Sequence, residues 1–168
     1  QIDHKQKALH AILAGDASIE NFSILNDDWN IEERSVTALD SWGLGQFPLS
    51  YPMNLLSGGE KTRVFLAGMD IHNPSVILMD EPTNHLDSSG RQRLYDWVEK
   101  WRSTLLVVSH DRTLLNLLPE ICELEKHQIS YYGGNYEFYK EQKTLMQEAL
   151  QQRIEEKEKA LRTARKVA

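Results

Sequence analysis

Two short apolar runs predict the strands of a parallel sheet. Residues 76–79 (VILM) and 105–108 (LLVV) contain no polar alternation, which is typical of strands that are covered on both faces. Pro82 lacks the backbone N–H that a neighbouring strand would need, so the first strand must end before it. The sequence therefore predicts an α/β fold in which both strands end at the same edge of a sheet.

Apolar residues at helical spacing predict three helices within residues 1–55, the third of which ends near Trp42. Two prolines in the segment 46–54 break the helical pattern, so a loop follows these helices. We expect Trp29 and Trp42 to be core residues, because an aromatic side chain at helical spacing usually packs. The chain thus opens with a helical segment.

The segment Ser57-Gly58-Gly59-Glu60 has two interpretations. The pattern S-x-x-E is a capping box, and it predicts a helix that runs to about residue 72. Two consecutive glycines also permit close backbone approach, and a helix start offers N–H groups and a positive dipole end to an anion. Since a cap alone does not require two glycines, we favour a role in binding as well. The side chains expected to point inward from this helix are those of Val64, Phe65 and Met69.

Acidic and imidazole side chains follow the two strands at their carboxyl ends. Asp80 and Glu81 come directly after the first strand, and His110 comes shortly after the second. Because these strand ends meet at one edge of a parallel sheet, we expect the three side chains to lie close together. A rigid carboxylate suits a hard cation such as Mg²⁺, and a second carboxylate can polarise a water. Taken alone, an acidic pair entering a turn and a structural histidine explain the pattern equally well.

Two further helices have candidate caps. Asp87 or Ser88 can begin a helix over residues 89–101, and Asp111 can begin one over residues 112–118. These carboxylates therefore have a structural interpretation that needs no chemistry. The apolar face predicted for the first of the two helices comprises Leu94, Trp97, Val98 and Trp101.

The end of the chain changes character. Residues 121–125 and 128–132 predict an antiparallel hairpin around Lys126-His127, and the geometry of that turn stays open because it lacks glycine. Residues 135–168 predict a long helix with a narrow apolar seam, in which basic residues outnumber acidic ones. Such a helix is either solvated and packed on a partner helix, or suited to phosphate contact. The basic side chains near its end are Arg162, Arg165 and Lys166.

The composition is that of a globular protein of 168 residues with 40% hydrophobic and 26% charged residues and a net charge of −6. No apolar run is long enough to cross a bilayer, no signal-peptide pattern opens the sequence, and the single Cys122 cannot form an internal disulfide. These features predict a cytoplasmic protein that does not interact with a membrane.

Three motifs follow one another along the chain: LSGGE at 56–60, DEPTNHLD at 80–87 and SHDR at 109–112. Their order and spacing resemble the signature, the Walker B motif with D-loop, and the His-switch of an ATP-binding cassette (ABC) domain. The sequences EPTNHLD and SHDR, together with YGGNY at 132–136, resemble those of the ABC-F branch rather than those of a transporter. The resemblance extends from about residue 56 to residue 143.

The resemblance implies an ATPase that uses ATP and Mg²⁺. In the family, the carboxylate matching Asp80 holds magnesium through water, that of Glu81 orients or deprotonates the attacking water, and the imidazole of His110 senses the γ-phosphate. The signature contacts ATP that is bound to the opposite ABC domain, and the D-loop lies across the domain interface. The matching signature residues are Ser57, Gly58, Gly59 and Glu60. The matching D-loop residues are Asn84, Leu86 and Asp87.

The resemblance also implies an architecture. Residues 1–55 match a helical subdomain, residues 56–134 the downstream half of an ABC core, and residues 135–168 the start of an interdomain linker. The expected fold is thus a partial P-loop NTPase domain with parallel strands, a β-hairpin and a long charged helix. Such a piece would belong to the first of two ABC domains in one protein, with the ribosome and tRNA as partners.

A phosphate-binding loop is missing from the pattern, because none of the nine glycines is followed by lysine as GxxxxGK[ST] requires. We therefore expect this chain to be the downstream part of an ABC domain, inactive and without tight ATP binding by itself. Upstream strands that are missing would leave apolar sheet edge uncovered, so we also expect self-association.

Three other interpretations remain open. The ATP-binding subunit of a membrane transporter shares the motifs, although a tyrosine-rich GNY segment and a charged linker are not expected there. A chromosome-structuring ATPase head also carries LSGGE, but its coiled coil enters before the signature. The chain could also serve as a non-catalytic interaction module.

Overall fold

The computed structural model describes residues 2–167, except for the side chains of residues 161 and 163–167. Two of the basic side chains singled out above, Arg165 and Lys166, thus lie outside the described residues. The elements, in order, are α1 (Ile2–Leu13), α2 (Ile19–Leu25), α3 (Ile31–Ser41), a 3₁₀ turn (Met53–Leu55), α4 (Gly58–His72), β1 (Val76–Asp80), α5 (Ser88–Lys100), β2 (Thr104–Val108), α6 (Arg112–Asn116), β3 (Ile121–Glu125), β4 (Gln128–Tyr132) and α7 (Tyr136–Val167).

The chain forms two compact units, the first ending at Val108 and the second beginning at Ser109. None of the described helices is both long and apolar enough to cross a membrane. The expected division into residues 1–55, 56–134 and 135–168 stays a prediction based on the family resemblance.

In the first unit, β1 and β2 pair in parallel, with Val76 opposite Thr104 and Asp80 opposite Val108. Burial alternates along β1: Ile77 and Met79 are buried, whereas Leu78 is 71% exposed. The prediction that both faces of this strand are covered is therefore wrong for the described structure. An apolar run shows that the side chains on both faces of a strand are suited to burial. They are buried only where other segments of the protein pack on each face. The exposed apolar side chains of this sheet are Val76, Leu78, Leu106 and Val108.

The helices of the first unit pack on one another rather than standing alone. Ala8, Leu9, Leu25 and Ile31 form a buried cluster between α1, α2 and the start of α3. Trp29, which we expected in the core, is 45% exposed and meets the ring of Phe22 edge-on, with 6.1 Å between the ring centroids. The aromatic spacing therefore predicted a contact correctly but not its burial.

Asp70 joins three helices. Its carboxylate accepts hydrogen bonds from the indole N–H of Trp42 (2.8 Å) and from that of Trp97 (2.5 Å), which connects α4 with the end of α3 and with α5. This contact orients α4 so that Leu66 and Ala67 are buried. Phe65, predicted to point inward, is 69% exposed. The prediction failed because a polar group on α4 shares the inward side with the apolar residues.

In the second unit, β3 and β4 form the predicted hairpin, with Ile121 opposite Tyr132 and Glu125 opposite Gln128. Lys126 and His127 both have positive φ, +48° and +65°. Two successive left-handed residues are the geometry of a type I′ turn, which fits the twist of a hairpin. The turn therefore forms without glycine, at a conformational cost to both residues.

The Gly-Gly-Asn segment at 133–135 shapes the start of α7. A Cβ on Gly134 would lie 2.5 Å from the Phe138 ring, so only glycine fits without a shift. The side-chain oxygen of Asn135 accepts from the N–H of Phe138 (3.1 Å) and caps the helix. These residues thus have a clear structural role.

Candidate functional site

The carboxyl end of β1 presents both candidate carboxylates. Asp80 is the last residue of the strand and is exposed, and Glu81 is half-buried. The N–H of Glu81 donates to the carbonyl of Val108 (2.7 Å), so the end of β2 fixes its backbone. Glu81 has φ +46°, a left-handed conformation that is unfavourable for a residue with a side chain. Strain of this kind is often found at functional sites.

The turn after Glu81 carries the candidate D-loop. The N–H of Asn84 donates to the carbonyl of Glu81 (3.0 Å), which closes the turn. Thr83 and Leu86 point inward and are buried, whereas Asn84 and His85 are exposed. The buried side chains of Thr83 and Leu86 therefore hold the turn in place, and the polar side chains of Asn84 and His85 stay on the surface. Leu86, a predicted D-loop residue, lies on the anchoring side.

The signature segment and the D-loop touch through their backbones. A Cβ on Gly59 would lie 2.5 Å from the carbonyl oxygen of His85, closer than any side chain tolerates. A Cβ on Gly58 would instead lie 3.7 Å from the Cβ of His85, an ordinary contact. Gly59 is therefore required by packing and Gly58 is not. The contact places the exposed start of α4 beside the exposed polar residues of the D-loop.

The predicted capping box at the start of α4 is present. The N–H of Ser57 donates to the Glu60 carboxylate (2.7 Å), and the N–H of Glu60 donates to the Ser57 hydroxyl oxygen (3.3 Å). Hydrogen bonds from the side chain and then the backbone of Ser57 hold the pKa of Glu60 below its usual value. By helix geometry, the amides of Gly58 and Gly59 have no acceptor within the helix. The cap thus leaves two N–H groups for a ligand or water.

Asp87 ends the candidate D-loop and begins α5. Its carboxylate accepts from the N–H of Gly90 (2.7 Å) and from the hydroxyl of Ser89 (3.1 Å). These hydrogen bonds, the Gly90 one foremost, hold the pKa of Asp87 below its usual value. The predicted N-cap is confirmed, and it fixes the direction in which the D-loop leaves the site.

His110 belongs to the second unit and is exposed. It stands between Ser109, whose hydroxyl oxygen accepts from the N–H of Asp111 (3.0 Å), and Asp111 itself, which caps α6. The Asp111 carboxylate accepts from the N–H groups of Thr113 (3.0 Å) and Leu114 (3.2 Å). The sequence prediction of this cap is confirmed, and the backbone on the C-terminal side of His110 is thereby held in place.

Residues 3–84 match the model of the family described as "ABC transporter". The chain is 35% identical over 142 residues to the uncharacterised ABC transporter ATP-binding protein YkpA of Bacillus subtilis, covering 84% of this chain and 26% of YkpA. It is also 37% identical over 118 residues to the energy-dependent translational throttle protein EttA of Mycobacterium tuberculosis, covering 70% of this chain and 21% of EttA. The chain belongs to the ATP-binding cassette family.

The similarity to EttA, and to the probable ATP-binding protein YheS of Escherichia coli (34% identical over 118 residues), confirms the ABC-F resemblance, since both are members of that branch. The fold of this ABC chain also matches the dimeric cassette MJ0796 with a TM-score of 0.56 at 23% identity, covering 77% of this chain and 56% of that one. The predicted α/β cassette fold is therefore confirmed. This ABC chain spans about a quarter of the length of the curated relatives it matches.

Sequence reasoning missed two carboxylates of this ABC chain. Asp70, which bridges two tryptophans, was not singled out, and neither was Glu123 of the hairpin. Glu123 accepts from the hydroxyl of Tyr139 (2.7 Å) and from the ammonium of Lys143 (2.8 Å) on α7. A single acidic residue between apolar strand positions is the signal that could have found it. No group of three or more potential metal ligands occurs among the described residues.

Proposed function

We propose that this chain contributes to ATP hydrolysis as part of a protein with two ABC domains. The observation that carries the proposal is the backbone contact between Gly59 and His85, which sets the signature beside the D-loop. Both motifs expose polar groups, and the D-loop directly follows the strand that ends at Asp80. A second domain that binds one of these motifs therefore also meets the other.

The signature would bind the γ-phosphate of a nucleotide held by the second domain. The hydroxyl of Ser57 and the amides of Gly58 and Gly59 are the donors, and they act at the positive end of the α4 dipole. Glu60 does not face the phosphate in this scheme. Its ionised carboxylate holds the N–H of Ser57, which keeps the loop in the binding conformation.

The carboxylates at the end of β1 have separate roles. Glu81 would orient the attacking water and accept its proton, and its fixed backbone limits the positions that the carboxylate can reach. Asp80 is an exposed oxygen donor, which fits a Mg²⁺ ion held mainly by phosphate and water, since such ions need only one or two protein carboxylates. When bound, Mg²⁺ neutralises charge on the phosphates. His110 would contact the γ-phosphate, and the D-loop residues Asn84 and Asp87 would line the interface.

Tight binding of the nucleotide requires more contacts than these residues supply. No glycine of this chain is followed by lysine, as a P-loop of the form GxxxxGK[ST] requires. We therefore propose that the chain alone neither binds ATP tightly nor hydrolyses it. Isothermal titration with ATP and Mg²⁺ tests this, and tight binding would contradict it.

The carboxylate role is tested by Glu81→Gln in the complete ATPase. The amide keeps the size of the side chain but cannot accept the proton, so the variant should bind ATP, stay in the closed two-domain state and lose turnover by about 10²–10⁴-fold. Glu99→Gln is the matched control, because Glu99 is an exposed glutamate of α5, away from the site. Turnover in Glu81→Gln that equals the control would refute the assignment.

For the cellular role we propose action on the translating ribosome in the cytoplasm, with tRNA or ribosomal RNA near α7. The similarity to EttA, an energy-dependent translational throttle protein, supports this. Arg162 is an exposed basic residue of α7 that could contact phosphate. Salt-dependent co-sedimentation of the complete protein with ribosomes tests the proposal. Co-purification with membranes instead would favour a transporter subunit, as the similarity to the ABC transporter ATP-binding protein YkpA suggests.

A further inference from the structure

The long helix α7 begins against α6, the short helix that follows His110. The side-chain oxygen of Asn116 accepts from the N–H of Glu137 (2.9 Å), in the first turn of α7. The first N–H groups of a helix have no acceptor within it, so Asn116 satisfies one of them from another element. The guanidinium carbon of Arg112 lies 5.9 Å from the centre of the Tyr136 ring, within cation–π range.

Helix α6 is a short helix of five residues. It runs from Arg112 to Asn116, and the Asp111 carboxylate fixes its first turn. His110 is the residue directly before that cap. Both contacts to α7 therefore arise from the same short helix whose capped end follows His110.

The start of α7 is also held from the other side. Glu123 on β3 accepts from Tyr139 and Lys143, and the Tyr139 ring packs edge-on against Tyr132 on β4, with 4.9 Å between centroids. The first two turns of α7 thus contact both α6 and the hairpin.

We propose that Asn116 and Arg112 are positioning residues that couple His110 to α7. The position of His110 sets the direction of the long helix, and a load on that helix changes the position of His110, because coupling between two sites acts in both directions. This inference rests on the proposed function for the contact between His110 and the γ-phosphate. It gives the charged helix a mechanical role in controlling hydrolysis.

The coupling itself is tested without nucleotide, by hydrogen exchange in this chain. Asn116→Ala removes the acceptor for the Glu137 N–H, and we expect about 5- to 10-fold faster exchange at Glu137 and through residues 110–116. Asn116→Asp keeps an acceptor oxygen and should restore slow exchange. Asn30→Ala is the control, because the Asn30 side chain makes no cap hydrogen bond. Unchanged exchange at residues 110–116 in Asn116→Ala would overturn the coupling.

The positioning role is tested by turnover in the complete ATPase. We expect Asn116→Ala to lower kcat about 3- to 10-fold with little change in KM for ATP, and Asn116→Asp to recover it. Faster exchange with unchanged kcat would overturn the positioning role. If His110→Ala also left turnover unchanged, the proposed function of His110 would fail together with that role, and the exchange data would separate this from a failure of the coupling.

Discussion

Gly59 and Gly68 lie in the same helix but should respond in opposite ways to the same added methyl group. At Gly68 no heavy atom lies within 4 Å of the added Cβ, whereas at Gly59 the backbone oxygen of His85 lies 2.5 Å away. Gly68→Ala should stabilise the first unit by about 0.5–1 kcal/mol, since alanine is the better helix former. Gly59→Ala gains a similar helix contribution but must displace a backbone carbonyl.

Displacing a packed group by one methyl costs about 1–3 kcal/mol. Because the helix contribution roughly cancels between the two variants, their difference in free energy of unfolding should equal this packing cost. All four tryptophans lie within residues 1–108, so tryptophan fluorescence during urea unfolding reports on the unit that contains both glycines. Equal stability of the two variants would show that the signature and the D-loop are not in contact.

Gly58→Ala separates packing from function at the same site. The added Cβ would make only an ordinary contact with His85, 3.7 Å away, so the fold should keep its stability. In the complete ATPase the methyl group would crowd the backbone amides proposed to bind phosphate, and turnover should fall about 10-fold or more. A fully active Gly58→Ala variant would contradict the role of the signature.

Two further predictions concern partly buried hydrogen bonds of Asp70 and Glu123. Asp70→Asn should lower the free energy of unfolding by about 1.5–3 kcal/mol, because one indole N–H then faces an amide NH₂ that cannot accept and the other keeps only a neutral acceptor. The exposed Asp96→Asn is the control in fluorescence-monitored unfolding. The Glu123 carboxylate raises the pKa of Tyr139 to about 12 from a usual 10.0. Since the folded state holds this proton more tightly, its contribution to stability is present below pH 10 and is lost as the pH rises towards 12. The tyrosinate absorbance of the wild type minus that of Tyr139→Phe should show a titration midpoint near pH 12. In Glu123→Gln this midpoint should lie at lower pH. A midpoint near pH 10 in the wild type would contradict the contact between Tyr139 and Glu123.

Patterns with local causes were predictable from the sequence. The caps at Ser57, Asp87 and Asp111 depend on one side chain and the next few amides, so short motifs determine them. The position of β1 follows in the same way from a short apolar run that ends before a proline, and the hairpin follows from two strand-like segments separated by two residues. These three predicted caps were therefore confirmed, and the predicted strands agree with the observed ones to within one residue at each end.

Features that depend on distant residues could not be read from local pattern. The exposure of Phe65 depends on Asp70 meeting tryptophans from two other helices. The role of Gly59 depends on a carbonyl twenty-six residues away in sequence, at His85, and motif resemblance alone assigned that glycine to phosphate binding. Long-range contacts of this kind become visible only once the helices are placed.

The left-handed backbone at Glu81 means that the position of this carboxylate comes at a cost in thermal stability. A residue with a side chain pays about 1–2 kcal/mol in this region, and glycine would not. Selection for heat resistance alone would thus favour a glycine that removes the carboxylate. We therefore expect that Glu81→Gly would make this turn more thermostable and the protein inactive.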